Sequence, residues 1–143
     1  TRDPSSAASD VYKRQFYGPF REAAKSSPNF GDRKTYQMNF KNSEEAINEV
    51  KLDINEGADV IIIKPAISYL DIIYRIKQKF NVPIIAYNVS GEYTMVKSAS
   101  EKNFINGIET ILEILHSIKR SGANAIISYH ALEVAKYLKA NDL

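Results

Sequence analysis

From Asn42 onward, apolar residues recur at regular spacings. Ala46, Ile47, Val50 and Ile54 form a helical stripe, opened by Asn42 with Glu45 three residues on and stopped by Gly57. The branched apolar run at 60–63 reads as a strand, and Ile72, Ile73, Ile76 and Phe80 make a second helical stripe. "VPIIAYNVS", from Val82, is a second strand. Ile108, Ile111, Leu112, Leu115 and Ile118 mark a third helix that leads to Gly122. The strand "NAIISYH" and a last helix with Leu132, Val134, Ala135 and Leu138 complete the pattern.

Strands alternating with helices predict βα units and a parallel sheet, hence an α/β fold. A faint repeat supports this reading. "GADVIIIK" from Gly57 and "GANAIISY" from Gly122 align so that Lys64 and Tyr129 occupy equivalent positions at the strand's C-terminal end. Functional residues of parallel α/β folds collect at those ends. Three βα units are visible, whereas a closed barrel needs eight in roughly 250 residues.

Composition narrows the class. The 143 residues are 44% hydrophobic and 25% charged, as in an ordinary globular domain, and the net charge of +2 is too small to suggest nucleic acid. There is no cysteine, so neither a disulfide framework nor a thiolate metal site is expected, and two histidines argue against an all-His site. No apolar run approaches the roughly 20 residues a membrane helix needs, and the first residues lack the apolar core of a signal peptide. The expectation is a cytosolic domain without nucleic-acid or membrane partners. Residues 1–15, "TRDPSSAASDVYKRQ", are Ser/Ala/Asp-rich and aperiodic. They read as an unstructured leader, foreign to the rest and left by cloning or sequence assembly.

Lys64 is the first chemical candidate. A lysine ending an apolar strand either packs its stem on the rim with its head in water, or is an amine kept for Schiff-base chemistry. Burial in apolar surroundings favours the neutral, nucleophilic form. The stretch from Phe16 to Met38 is aromatic and Gly/Pro-punctuated, with Arg21 and Arg33 on either side of a Ser-Ser-Pro turn. It is either a solvated loop or a lid over an anionic substrate, since the guanidinium fork suits carboxylate or phosphate. No phosphate-loop pattern is present. Ser90 either caps the next helix or donates a hydrogen bond to a ligand, and Tyr129 is either a half-buried aromatic or a donor. Glu49 on pattern alone is a solvent-facing helix residue.

"FYGPFREAA", "SSPNFGDRKTYQM", "EGADVIIIKPAISYLDII", "VPIIAYNVSGEYTM" and "KRSGANAIISYHALEVAKYL" occur in order and together closely resemble the porphobilinogen synthase (5-aminolevulinate dehydratase) family. The resemblance runs from Phe16 to the end and implies the C-terminal part of a TIM (β/α)8 barrel, spanning 16–143. It implies that Lys64 forms a Schiff base with 5-aminolevulinate. Ser90 and Tyr129 then hold that substrate's carboxylate, and Arg21 and Arg33 hold the second substrate's. Glu49 matches a glutamate of an outer-sphere allosteric magnesium site between subunits. The implied parent is a cytoplasmic homo-octamer that condenses two 5-aminolevulinate molecules to porphobilinogen.

The chain also departs from the family pattern. The family's second Schiff-base lysine lies five residues before Phe-Tyr-Gly-Pro-Phe, where this chain has Val11, and Lys13 is out of register. The segment that would distinguish zinc from magnesium at the catalytic metal site belongs upstream of the matched stretches. Read without the resemblance, the residues support Schiff-base chemistry on a carboxylated substrate. Another class I aldolase-like lyase and a non-catalytic carboxylate-binding fragment are the alternatives.

Overall fold

The computed structural model describes residues 7–11, as backbone, and residues 38–142. A four-stranded, wholly parallel sheet runs in sequence order through β1 (Ala7–Val11), β2 (Val60–Lys64), β3 (Ile84–Asn88) and β4 (Ala125–Ser128). Helix α1 (Ser43–Glu56) precedes β2. A 3-10 turn (Ile67–Tyr69) and α2 (Leu70–Lys79) join β2 to β3. Helices α3 (Ser90–Glu101) and α4 (Gly107–Arg120) join β3 to β4, and α5 (Ala131–Ala140) closes the order. Parallel neighbours taken in sequence order, each reached through a helix, make this part of a TIM barrel wall.

The helix boundaries follow local chemistry. The Asn42 side chain accepts from the Glu44 and Glu45 amides at 3.2 and 3.4 Å and opens α1. Gly57 closes α1 at φ 103°, with its own amide donating to Ile54 and the Ala58 amide to Asp53. Gly122 repeats this device at φ 116° before β4, so the sequence repeat is a repeated helix-to-strand turn. A Cβ at Gly122 would lie 2.8 Å from Cγ and 2.9 Å from Cβ of Lys77. Gly122→Ala is therefore expected to cost at least about 1–2 kcal/mol through the left-handed backbone alone, read as a lower urea midpoint.

Alternation sorts each strand into two faces. Ile61 and Ile63 of β2, with Ile84 and Ala86 of β3, are buried and pack with Ile47, Val50, Ile73, Ile76 and Ile118 from the helices. The other face carries Ile62, Lys64, Ile85 and Tyr87, all half-buried, and the exposed Ile127. No helix among the described residues is long and apolar enough to cross a membrane.

The leader differs from its sequence expectation. Residues 7–11 are not unstructured: they form β1, paired in parallel with β2 from Ala7↔Val60 to Val11↔Lys64. Backbone amides and carbonyls make that ladder, so a Ser/Ala/Asp-rich segment can join the edge of a ready sheet despite its low apolar content.

Candidate active site

Lys64 is the last residue of β2 and is half-buried, and burial lowers the pKa of its amine. Its neighbour in register on β1 is Val11. On the other side the β2–β3 ladder reaches Ile63↔Ala86, and one further step sets Lys64 opposite Tyr87. The Tyr87 hydroxyl donates to the Tyr129 hydroxyl at 3.4 Å. That hydrogen bond, with burial, pushes the Tyr87 phenol up to about 12. Tyr87 thus keeps its proton at neutral pH, and Tyr129, just past β4 and 47% exposed, has its own proton left to donate outward.

Ser90 lies two residues past β3, at the first position of α3, and is buried. It does not cap that helix. The residue before α3 is Val89, whose amide donates at 2.7 Å to the carboxylate of Glu92. Lys64, Ser90 and Tyr129 thus sit at or just beyond the C-terminal ends of three adjacent strands. Arg21 and Arg33, together with Lys13, lie outside the described residues. Glu49 is exposed on α1, and no group of three or more His, Asp or Glu residues able to hold a metal occurs among the described residues.

Beneath these positions runs a polar network that sequence reasoning did not find. Glu92, fully buried, accepts from the backbone amides of Ala66, Ile67 and Val89 and from the Asn88 side chain. Asn88 Oδ1 in turn accepts from the Ser128 hydroxyl at 2.8 Å, and the Ser128 oxygen accepts from the His130 amide at 3.1 Å. His130 is 2% exposed, stacks on Tyr93 at 4.6 Å and has no hydrogen-bond partner at either ring nitrogen. Glu133 Oε2 stands 3.7 Å from its Nδ1, too long for a hydrogen bond. Burial dominates and lowers the His130 pKa, so the ring is neutral at pH 7. The one sequence signal for Glu92 was its place three residues after Val89, the acidic half of a capping box whose hydroxyl half is missing.

A half-buried amine at the end of a parallel strand, with a phenol pair and a hydroxyl at the ends of the next two, lies on the face where β/α-barrel proteins collect their functional residues. Sequence comparison carries the assignment further. The family model for delta-aminolevulinic acid dehydratase matches residues 6–137, and the chain belongs to that family. It is 55% identical over 127 residues to the delta-aminolevulinic acid dehydratase of Bacillus subtilis, covering 89% of this chain and 39% of the relative. The Archaeoglobus fulgidus dehydratase is 49% identical over 136 residues, covering 95% and 42%. A crystal structure of the Toxoplasma gondii enzyme, delta-aminolevulinic acid dehydratase (porphobilinogen synthase) in complex with the product porphobilinogen, superposes with a TM-score of 0.90 at 46% identity. That match covers 96% of this chain and 39% of the other. The chain thus spans about two fifths of the length of the relatives it matches.

Proposed function

We propose that this chain is part of a porphobilinogen synthase and supplies the amine that binds one of the two 5-aminolevulinate molecules. The observation that carries the reading is Lys64: an amine whose pKa burial lowers, at the C-terminal end of β2. Its neutral form attacks the substrate's keto carbon. The carbonyl oxygen leaves as water, the nitrogen loses its protons, and an imine joins Lys64 to the substrate. Ser90 and Tyr129 donate hydrogen bonds to the substrate carboxylate, with Tyr87 holding the Tyr129 hydroxyl by donating to it. Arg21 and Arg33 are assigned to the carboxylate of the second substrate, following the family motif.

Glu49, exposed on α1, is proposed as an outer-sphere contributor to a magnesium site completed by another subunit. The parent protein is proposed to be a cytoplasmic homo-octamer.

Borohydride reduction in the presence of 5-aminolevulinate tests the central claim. A reduced adduct is expected on the peptide containing Lys64 by mass spectrometry, and none in Lys64→Ala. Because burial lowers the amine pKa, trapping should level off at a lower pH than for an exposed lysine. An adduct formed only with a different keto acid favours an aldolase-like lyase. No adduct with any keto acid overturns the assignment.

A further inference from the structure

We propose that Glu92 is a positioning residue for Lys64, its buried carboxylate clamping the turn that follows Lys64 to the turn that carries Ser90. This rests on the reading of Lys64 as the reactive amine. Ala66 and Ile67 follow Lys64 by two and three residues and lie past the last paired residues of β2. Their amides donate to Glu92, Ile67 to Oε1 at 2.6 Å and Ala66 to Oε2 at 3.4 Å. Oε2 also accepts from Val89 N at 2.7 Å and Asn88 Nδ2 at 3.1 Å, both on the Ser90 side. One carboxylate therefore spans 25 residues of sequence and joins two strand ends.

The chemistry favours a carboxylate at this point over any neutral side chain. All four partners are donors, and an ionised carboxylate is an acceptor at both oxygens. Glutamine has one acceptor oxygen, so its amide nitrogen would face N–H groups on one side of the clamp. Burial pushes the Glu92 carboxyl up by more than the four donors hold it down. Among the described residues, burial is the cause of the Lys64 shift. Lys64 reactivity therefore depends on how well the adjoining turn keeps water out, and Glu92 holds that turn.

Reductive methylation of the full chain by formaldehyde and cyanoborohydride, followed at Lys64 by peptide mass spectrometry across pH, is the test. Formaldehyde replaces the proposed substrate, so the result is independent of whether 5-aminolevulinate binds. In Glu92→Gln the midpoint is expected to move to higher pH, with the Lys64 rate at pH 7 falling about threefold or more as water reaches the amine. Glu92→Asp, which keeps the charge on a shorter arm, should recover part of the loss. A folded Glu92→Gln with an unmoved midpoint and a lowered melting temperature would show a purely structural clamp and overturn the proposal. If Glu92→Gln does not fold, NMR of the unaltered chain decides. The Ala66 and Ile67 amide signals and the Lys64 side-chain signal must shift in one common carboxyl titration step, and a Lys64 signal blind to that step overturns the proposal. A midpoint that moves without any 5-aminolevulinate adduct would keep the clamp and sink the Schiff-base reading instead.

Discussion

Supplied with 5-aminolevulinate, the purified 143-residue chain is expected to yield no porphobilinogen. The proposed reaction holds two identical molecules in different orientations, and each needs its own anchoring groups. The described residues offer one amine at a strand end, with Ser90 and Tyr129 just past the ends of the next two strands. The register position next to Lys64 on β1 is Val11, a residue type without the side-chain amine that a second imine needs. Without that anchor the second molecule approaches from solution, forgoing the roughly 7–11 kcal/mol that oriented binding can remove from a barrier. A colorimetric assay with p-dimethylaminobenzaldehyde should read as the blank. Turnover that needs Lys64, with no other chain added, would refute the proposed division of labour.

Val11→Lys is expected to raise the rate of borohydride trapping at Lys64 about tenfold at pH 7, through the electrostatics of adjacent ammonium groups. Val11 and Lys64 are partners in the parallel ladder, on strands about 4.8 Å apart. Two ammonium groups about 5 Å apart repel by about 3 kcal/mol at an effective dielectric constant of 20, and exposure to water reduces that to roughly half. The sign follows from which form is disfavoured. A neighbouring cation penalises the protonated amine, adds to the lowering that burial already causes, and leaves more neutral Lys64 at pH 7. Val11→Gln, of similar length and without charge, should leave the rate unchanged. An equal gain in both variants would mean that the effect is packing rather than charge.

Strands β2 to β4 and helices α1, α2, α4 and α5 were legible because periodicity and punctuation agreed. Asn42 and Gly57 bracket α1 in the sequence as they do in the structure, and the Gly57 and Gly122 repeat marks two equivalent turns. Lys64 was visible because a charge at the end of an apolar run breaks its pattern. β1 was not visible, since an edge strand paired through its backbone needs no apolar signature. Glu92 escaped notice for a different reason. Its partners at Ala66 and Ile67 are distant in sequence, and no periodicity encodes a contact made through a turn. Asn88 and Ser128 look like strand-ending polar residues until the fold brings them within 2.8 Å.

The uneven covering of the sheet has a calorimetric meaning. Ile61, Ile63 and Ile84 lose their water on folding, whereas Ile62 and Ile85 keep part of theirs and Ile127 stays 43% exposed. Apolar surface already hydrated in the native state adds nothing to the heat capacity gained on unfolding. Per residue, that increment should fall below the usual 12–15 cal/mol/K, and the curve of stability against temperature should be correspondingly shallow. Strands that closed over the second face would steepen it, making the width of the curve a gauge of how much barrel surrounds the amine.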